Sequence, residues 1–161
     1  MRYLSWDEEK EAIQYLQLAA DIAKSSTCNR SQCGSLIVSN RQIIGEGFNS
    51  PPWEFESQKR CAFSKSSYHN KVTDKTCCIH AEQRAIMHAL QTYPEKVIWS
   101  RLYFIRLDEF SEMSYAGKPY CTICSKMALD AGIYEFVLWH KEGIVVYTTD
   151  EYNVLSFAYN E

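Results

Sequence analysis

Several features are missing from this chain of 161 residues. No stretch approaches the roughly 18 apolar residues that a membrane-spanning helix needs, so no such helix is expected. There is no surplus of basic charge. The formal net charge is −3, which counts against a large nucleic-acid interface and leaves room only for a local basic groove. The opening MRYLSWDEEK turns charged at once and has no apolar stretch of the secretory kind. We therefore expect a cytoplasmic protein with no membrane association. Internal repeats, linkers and low-complexity segments are also missing. A hydrophobic share of 46% over this length suits one domain, residues 1–161, with a full core.

Cysteine, by contrast, is plentiful. There are seven: Cys28, Cys33, Cys61, Cys77, Cys78, Cys121 and Cys124. In a reducing compartment, dense cysteine favours metal or redox chemistry over disulfides, and an odd count fits a closed disulfide framework poorly.

The elements follow from spacing. Ser5 and Glu8 have capping-box spacing, and Ile13, Leu16, Ala20 and Ala23 recur at helical intervals, which predicts a helix over 6–24. CGSLIVS (33–39) and QIIGEGFN (42–49) read as a hairpin turned by Asn40-Arg41. Residues 50–79 show no period and open on Ser50-Pro51-Pro52, which blocks regular structure. AEQRAIMHAL predicts a helix ending near Tyr93-Pro94, and a strand follows near 101–107. CTICSKMALDAG predicts a helix closed by Gly132. Two strands, YEFVLWH and GIVVY, precede a last helix that Thr149 or Asp150 could cap. The order α-β-β-α-β-α-β-β-α implies an α/β fold: one mixed sheet of five strands covered by helices. Only Lys141-Glu142-Gly143 joins the last two strands. That is too short for a parallel crossover, so the pair should be antiparallel.

Cys121-Thr122-Ile123-Cys124 places two thiols on one face at a helix start, where the helix end favours thiolates. His80 stands at another helix start. One imidazole and two thiolates give a zinc ion three protein ligands and leave a fourth place for water, as in catalytic sites. Glu82, two residues on, could take and return that water's proton without touching the metal. A lone CxxC also suits redox chemistry or half of a structural zinc site. However, a polar loop precedes this one, and no second CxxC exists. H-x-E at one helix start and P-x-C-x-x-C at the next, with one strand between, come close to the H-x-E…P-C-x-x-C pattern of zinc nucleobase deaminases.

From about Cys33 to Tyr147 the chain resembles the zinc-dependent cytidine and deoxycytidylate deaminase superfamily. The resemblance rests on CGSLIVSNRQIIGEGFNSPP, CCIHAEQRAI and GKPYCTICSKMALDAGIYEFVLW. It is most like the deoxycytidylate branch, through Gly47-Phe48-Asn49-Ser50, Arg60-Cys61 and Cys77-Cys78-Ile79-His80-Ala81-Glu82. The resemblance implies a three-layer α-β-α fold and zinc on His80, Cys121 and Cys124. It implies Glu82 as proton shuttle and Asn49 as the residue that hydrogen-bonds the sugar. The backbone at Ala81 and at Tyr120 would read the base edge. It also implies a homo-oligomer and a free cytosine nucleotide or nucleoside as substrate, deoxycytidylate (dCMP) first. A tRNA adenosine or single-strand polynucleotide deaminase and a free purine (guanine) deaminase are the alternatives. The tail TTDEYNVLSFAYNE carries three acids and no Lys or Arg, which disfavours a polynucleotide substrate. Two features depart from the branch: Tyr120 stands between Pro119 and Cys121, and no helix separates the last two strands.

Residues 50–79 hold Lys59, Arg60, Lys65, Lys71 and Lys75 among aromatic residues. They read either as a solvated loop or as a lid whose cations contact a 5′-phosphate. Cys61, His69 and Cys77 or Cys78 are candidates for a second, structural zinc, which some of the deoxycytidylate branch carry in this region. Cys28 and Cys33 read as core or surface thiols. His88 and His140 read as helix-surface and strand-end residues.

Overall fold

The computed structural model describes residues 1–160. In chain order the elements are β1 (Arg2–Tyr3), α1 (Trp6–Ala23), β2 (Cys33–Ser39), β3 (Gln42–Phe48), α2 (Ala81–Thr92), β4 (Arg101–Leu107), β5 (Met113–Ser114), α3 (Thr122–Ala131), β6 (Glu135–His140), β7 (Gly143–Thr148) and α4 (Thr149–Phe157). The sheet has seven strands rather than the expected five. The order is β1-β7-β6-β4-β2-β3, with β5 paired to β4. The two extra strands are two-residue pairings at margins of the sheet, too short to show a sequence period. The predicted antiparallel β6–β7 pair is present, with His140 opposite Gly143. β4 and β6 are parallel, joined through α3.

Strand alternation divides the core into two layers. Leu36, Val38, Tyr103, Ile105, Val137, Ile144 and Val146 face α1. Ile37, Leu102, Phe104, Phe136, Leu138, Val145 and Tyr147 face the side that carries α2, α3 and α4. The apolar stripe of α1 runs through Ala12, Leu16, Ala19, Ala20 and Ala23. Ile13, expected on that stripe, is exposed, because Ala12 and Ala19 lie on the tighter seam. Thr148, one residue before the expected caps, accepts the Glu151 N–H at 3.4 Å and starts α4. Among the described residues no helix is long and apolar enough to cross a membrane.

One contact fixes where the site forms. A side chain at Gly47 would put its Cβ 2.5 Å from the Ala81 carbonyl oxygen and 2.6 Å from the Ala85 nitrogen. One at Gly45 would lie 2.3 Å from the Ala85 oxygen. The helix backbone thus rests directly on β3, and Ala81, Ala85 and Ala89 are fully buried in the seam. Long side chains on either surface would lift α2 and the residues at its first turn. Gly47→Ala should therefore cost about 1–3 kcal/mol of stability, because the obstructing atoms are backbone. Urea unfolding should show a lower midpoint at unchanged slope, and an unshifted midpoint would contradict the seam.

Candidate active site

His80 is the N-cap of α2 and Cys121 the N-cap of α3. Both helix starts open toward the end of β4, the usual place for ligands in open α/β sheets. Gln83 accepts the His80 N–H at 3.0 Å, closing the first turn of α2. The His80 Nδ1 atom lies 3.3 Å from the Cys121 Sγ and 3.2 Å from the Cys124 Sγ. The Cys121 sulfur also accepts the Cys124 N–H at 3.3 Å, so the α3 turn orients its own ligand. Candidate ligand atoms of all three lie within 4.8 Å of one another, with both cysteines buried. One imidazole and two thiols at this separation suit zinc, with three protein ligands as in catalytic sites.

The electrostatics agree with a metal-binding cluster. Hydrogen bonds from Cys124 and His80 lower the Cys121 thiol to about 5. Cys124, which keeps the shared proton beside it, is pushed up. The Cys121 sulfur raises His80 to about 9. A divalent ion binds such a group by displacing its protons. Glu82 sits beside the cluster with 4% of its surface exposed. Burial, then the negative charge of Cys121, raises its carboxyl to about 7. A carboxyl poised there can both accept and return a proton.

These groups open onto a cavity of about 270 Å³. Ala81, Phe104 and Tyr120 line it together with His80 and Glu82. Five cations also line it: Arg30, Arg60, Lys65, Lys75 and Arg106, with Glu82 the only carboxylate among the described residues. A larger hollow of about 730 Å³ lies on the outer face of α2 and contains none of the cluster. The long segment closes over the smaller cavity. Its base is pinned by the Ile79 N–H to the Ser50 carbonyl at 2.9 Å, and it contains three short 3₁₀ turns where the sequence shows no period.

Asn49 also lines the cavity, but most of its side chain is engaged. Its Oδ1 accepts from the Cys33 N–H at 2.8 Å and the Ser26 hydroxyl at 2.7 Å, and its Nδ2 donates to the Ser31 carbonyl at 2.8 Å. One N–H remains for a ligand. Asn49 thus anchors the chain after α1 as well as facing the cavity.

A second thiol cluster adjoins the first. Sulfurs of Cys28, Cys61 and Cys78 lie within 4.8 Å of one another. The Cys77 sulfur is 3.3 Å from that of Cys61 and 3.8 Å from that of Cys78. The expected His69 is not part of it: His69 is exposed, and its Nδ1 accepts the Lys71 N–H at 3.1 Å. Cys28 takes that place, because the segment after α1 folds across the long loop, where Arg30 donates to the Cys61 carbonyl at 2.9 Å. Spacing in the sequence carried no sign of that crossing. Arg106 was also missed, although it shares the face of Phe104 at the end of β4 and period-2 alternation places it there.

Residues 9–140 match the family model described as the cytidine and deoxycytidylate deaminase zinc-binding region. The chain belongs to this family. His80, Cys121 and Cys124 form its candidate zinc site. A similar protein is the deoxycytidylate deaminase of Mycobacterium phage D29, 27% identical over 143 residues, covering 85% of this chain and 95% of that one. Among solved structures, the dCMP deaminase from the cyanophage S-TIM5 in complex with dCMP and dUMP is similar at a TM-score of 0.56 and 22% identity, over 83% of this chain and 82% of that chain. The cytidine deaminase from Burkholderia pseudomallei is similar at 0.57 and 14% identity, over 87% and 94%. Both carry the same fold.

Proposed function

We propose that this protein deaminates deoxycytidylate to deoxyuridylate, releasing ammonia. One observation carries the reading. His80 and Glu82 of the cluster share one cavity with five cationic side chains, which suits a base at one end and a phosphate at the other. The phage D29 relative, named a deoxycytidylate deaminase, supports the same substrate.

Bound by His80, Cys121 and Cys124, zinc would acidify a water and hold it near the substrate. Glu82 would carry two protons in turn, one from the attacking water to the ring nitrogen and a second from the hydroxyl formed at C4 to the departing amine of cytosine. Ala81, with its small side chain, lets the base approach the first turn of α2, and Tyr120 walls the opposite side. Arg30 and Arg60 are already engaged with backbone carbonyls. Lys65 and Lys75 stand on the long loop, whereas Arg106 is held on β4 and offers a planar guanidinium fork, so it is the cation best placed to pair with a 5′-phosphate.

Cys28, Cys61 and Cys78, with Cys77 beside them, supply a second, structural zinc site that ties the long loop to the segment after α1. All seven cysteines are free thiols, which suits a reducing compartment such as the cytoplasm. We expect a homo-oligomer, as the family resemblance implies, with no nucleic-acid partner.

Three outcomes follow. Glu82→Gln should keep its zinc and lose about 10²- to 10⁴-fold in kcat for dCMP, measured by ammonia release, and near-normal turnover would contradict the role of Glu82. Arg106→Ala should raise KM for dCMP by about tenfold while leaving deoxycytidine unaffected, and equal effects on both would remove the phosphate contact. Metal analysis should find two zinc ions per chain, falling to one in a Cys28→Ser, Cys61→Ser double variant. A single zinc in the parent protein would reject the second site.

A further inference from the structure

The C-terminal helix holds the metal-binding turn of α3 from one side. Asn153 Nδ2 donates to the Ser125 hydroxyl at 2.9 Å, and that hydroxyl donates to the Thr122 carbonyl at 3.2 Å. The Ser156 hydroxyl lies 3.3 Å from it and donates to the Asn153 carbonyl at 2.7 Å. Ser125 and Ser156 are buried. Satisfied buried networks of this kind fix one packing arrangement. Thr122 and Ser125 directly follow Cys121 and Cys124, so α4 is bonded to the same turn that presents both sulfurs. Tyr152 fixes the other end of this contact, stacking on Phe136 with ring centroids 4.2 Å apart.

Beyond α4 the chain turns toward the cavity. The Tyr159 ring lies 6.1 Å from the Tyr120 ring at 60°, within the range of attractive tilted pairs. Tyr120 lines the cavity and stands where no regular structure holds the chain, between β5 and α3. Tyr120 is half exposed, and the Tyr159 ring is the aromatic group packed against its ring. Resting on the reading of the cavity as a cytosine nucleotide site, we propose that Tyr159 is a positioning residue. It holds Tyr120 against the cavity as the wall on which the base rests, and so makes the C-terminal segment part of the substrate site.

The test uses the full, zinc-loaded chain. Tyr159→Ala should raise KM for dCMP roughly fivefold, with kcat and zinc content unchanged. Tyr159→Phe should restore the parent KM, because the ring and not the hydroxyl makes the contact. Adding Tyr159→Ala to Tyr120→Ala should change nothing further, since the first acts through the second. A KM for Tyr159→Ala within about twofold of the parent overturns the proposal, as does Phe failing to rescue or full additivity in the double variant. A readout without substrate separates this proposal from the functional reading. Nitration of Tyr120 by tetranitromethane, followed by peptide mass spectrometry, should quicken severalfold in Tyr159→Ala. If the parent deaminates no cytosine compound, the functional reading fails by itself, and an unchanged nitration rate then overturns the positioning role.

Discussion

The close seating of α2 on β3 is the contact on which the rest of the site depends. Gly45 and Gly47 leave the helix backbone nothing to climb over, and the alanines opposite them fill the seam without lifting it. That contact sets where the first turn of α2 begins, and so where His80 and Glu82 stand. α3 reaches the same spot by another route, the crossover between the parallel strands β4 and β6. Neither helix carries three donors. The cluster exists because two independent packing constraints converge at the end of β4.

The convergence also explains how so much negative charge is tolerated in a buried place. Two helix N-termini face the thiols, and each favours an anion at its end. The cations Arg106, Lys75 and Arg30 line the same cavity and raise the potential at its mouth. Glu82 is the exception in that field: burial dominates, and its carboxyl is held well above the ordinary range. On the surface the same carboxyl would stay ionised throughout the neutral range. Its position behind the cluster turns it into a group that can exchange a proton near neutral pH.

Much of this was legible in the sequence. The candidate ligand set was readable because the N-cap position and the i, i+3 spacing of Cys121 and Cys124 are local properties, set within one turn of helix. The antiparallel end of the sheet was readable because a three-residue connection permits nothing else. Features that depend on distant segments meeting were not. Cys28 joins Cys61 and Cys78 only because the chain after α1 folds over the long loop, and no spacing rule records that. His69 looked equivalent on composition and lies outside the cluster. Asn49 was expected, by resemblance, to hydrogen-bond a sugar, but its three internal hydrogen bonds emerge only from the fold. Tyr3 and Met113 belong to two-residue strands, shorter than any period the sequence can display.

The central claim is that the cavity presents a free cytosine nucleotide to the His80, Cys121, Cys124 and Glu82 cluster. The most direct measurement is ammonia release by the zinc-loaded protein against a panel of dCMP, CMP, deoxycytidine, cytidine, guanine, adenosine and a cytosine-containing oligonucleotide. The account predicts turnover of dCMP, with kcat/KM well above that of its nucleoside. Inert free substrates together with deamination of the oligonucleotide would contradict it.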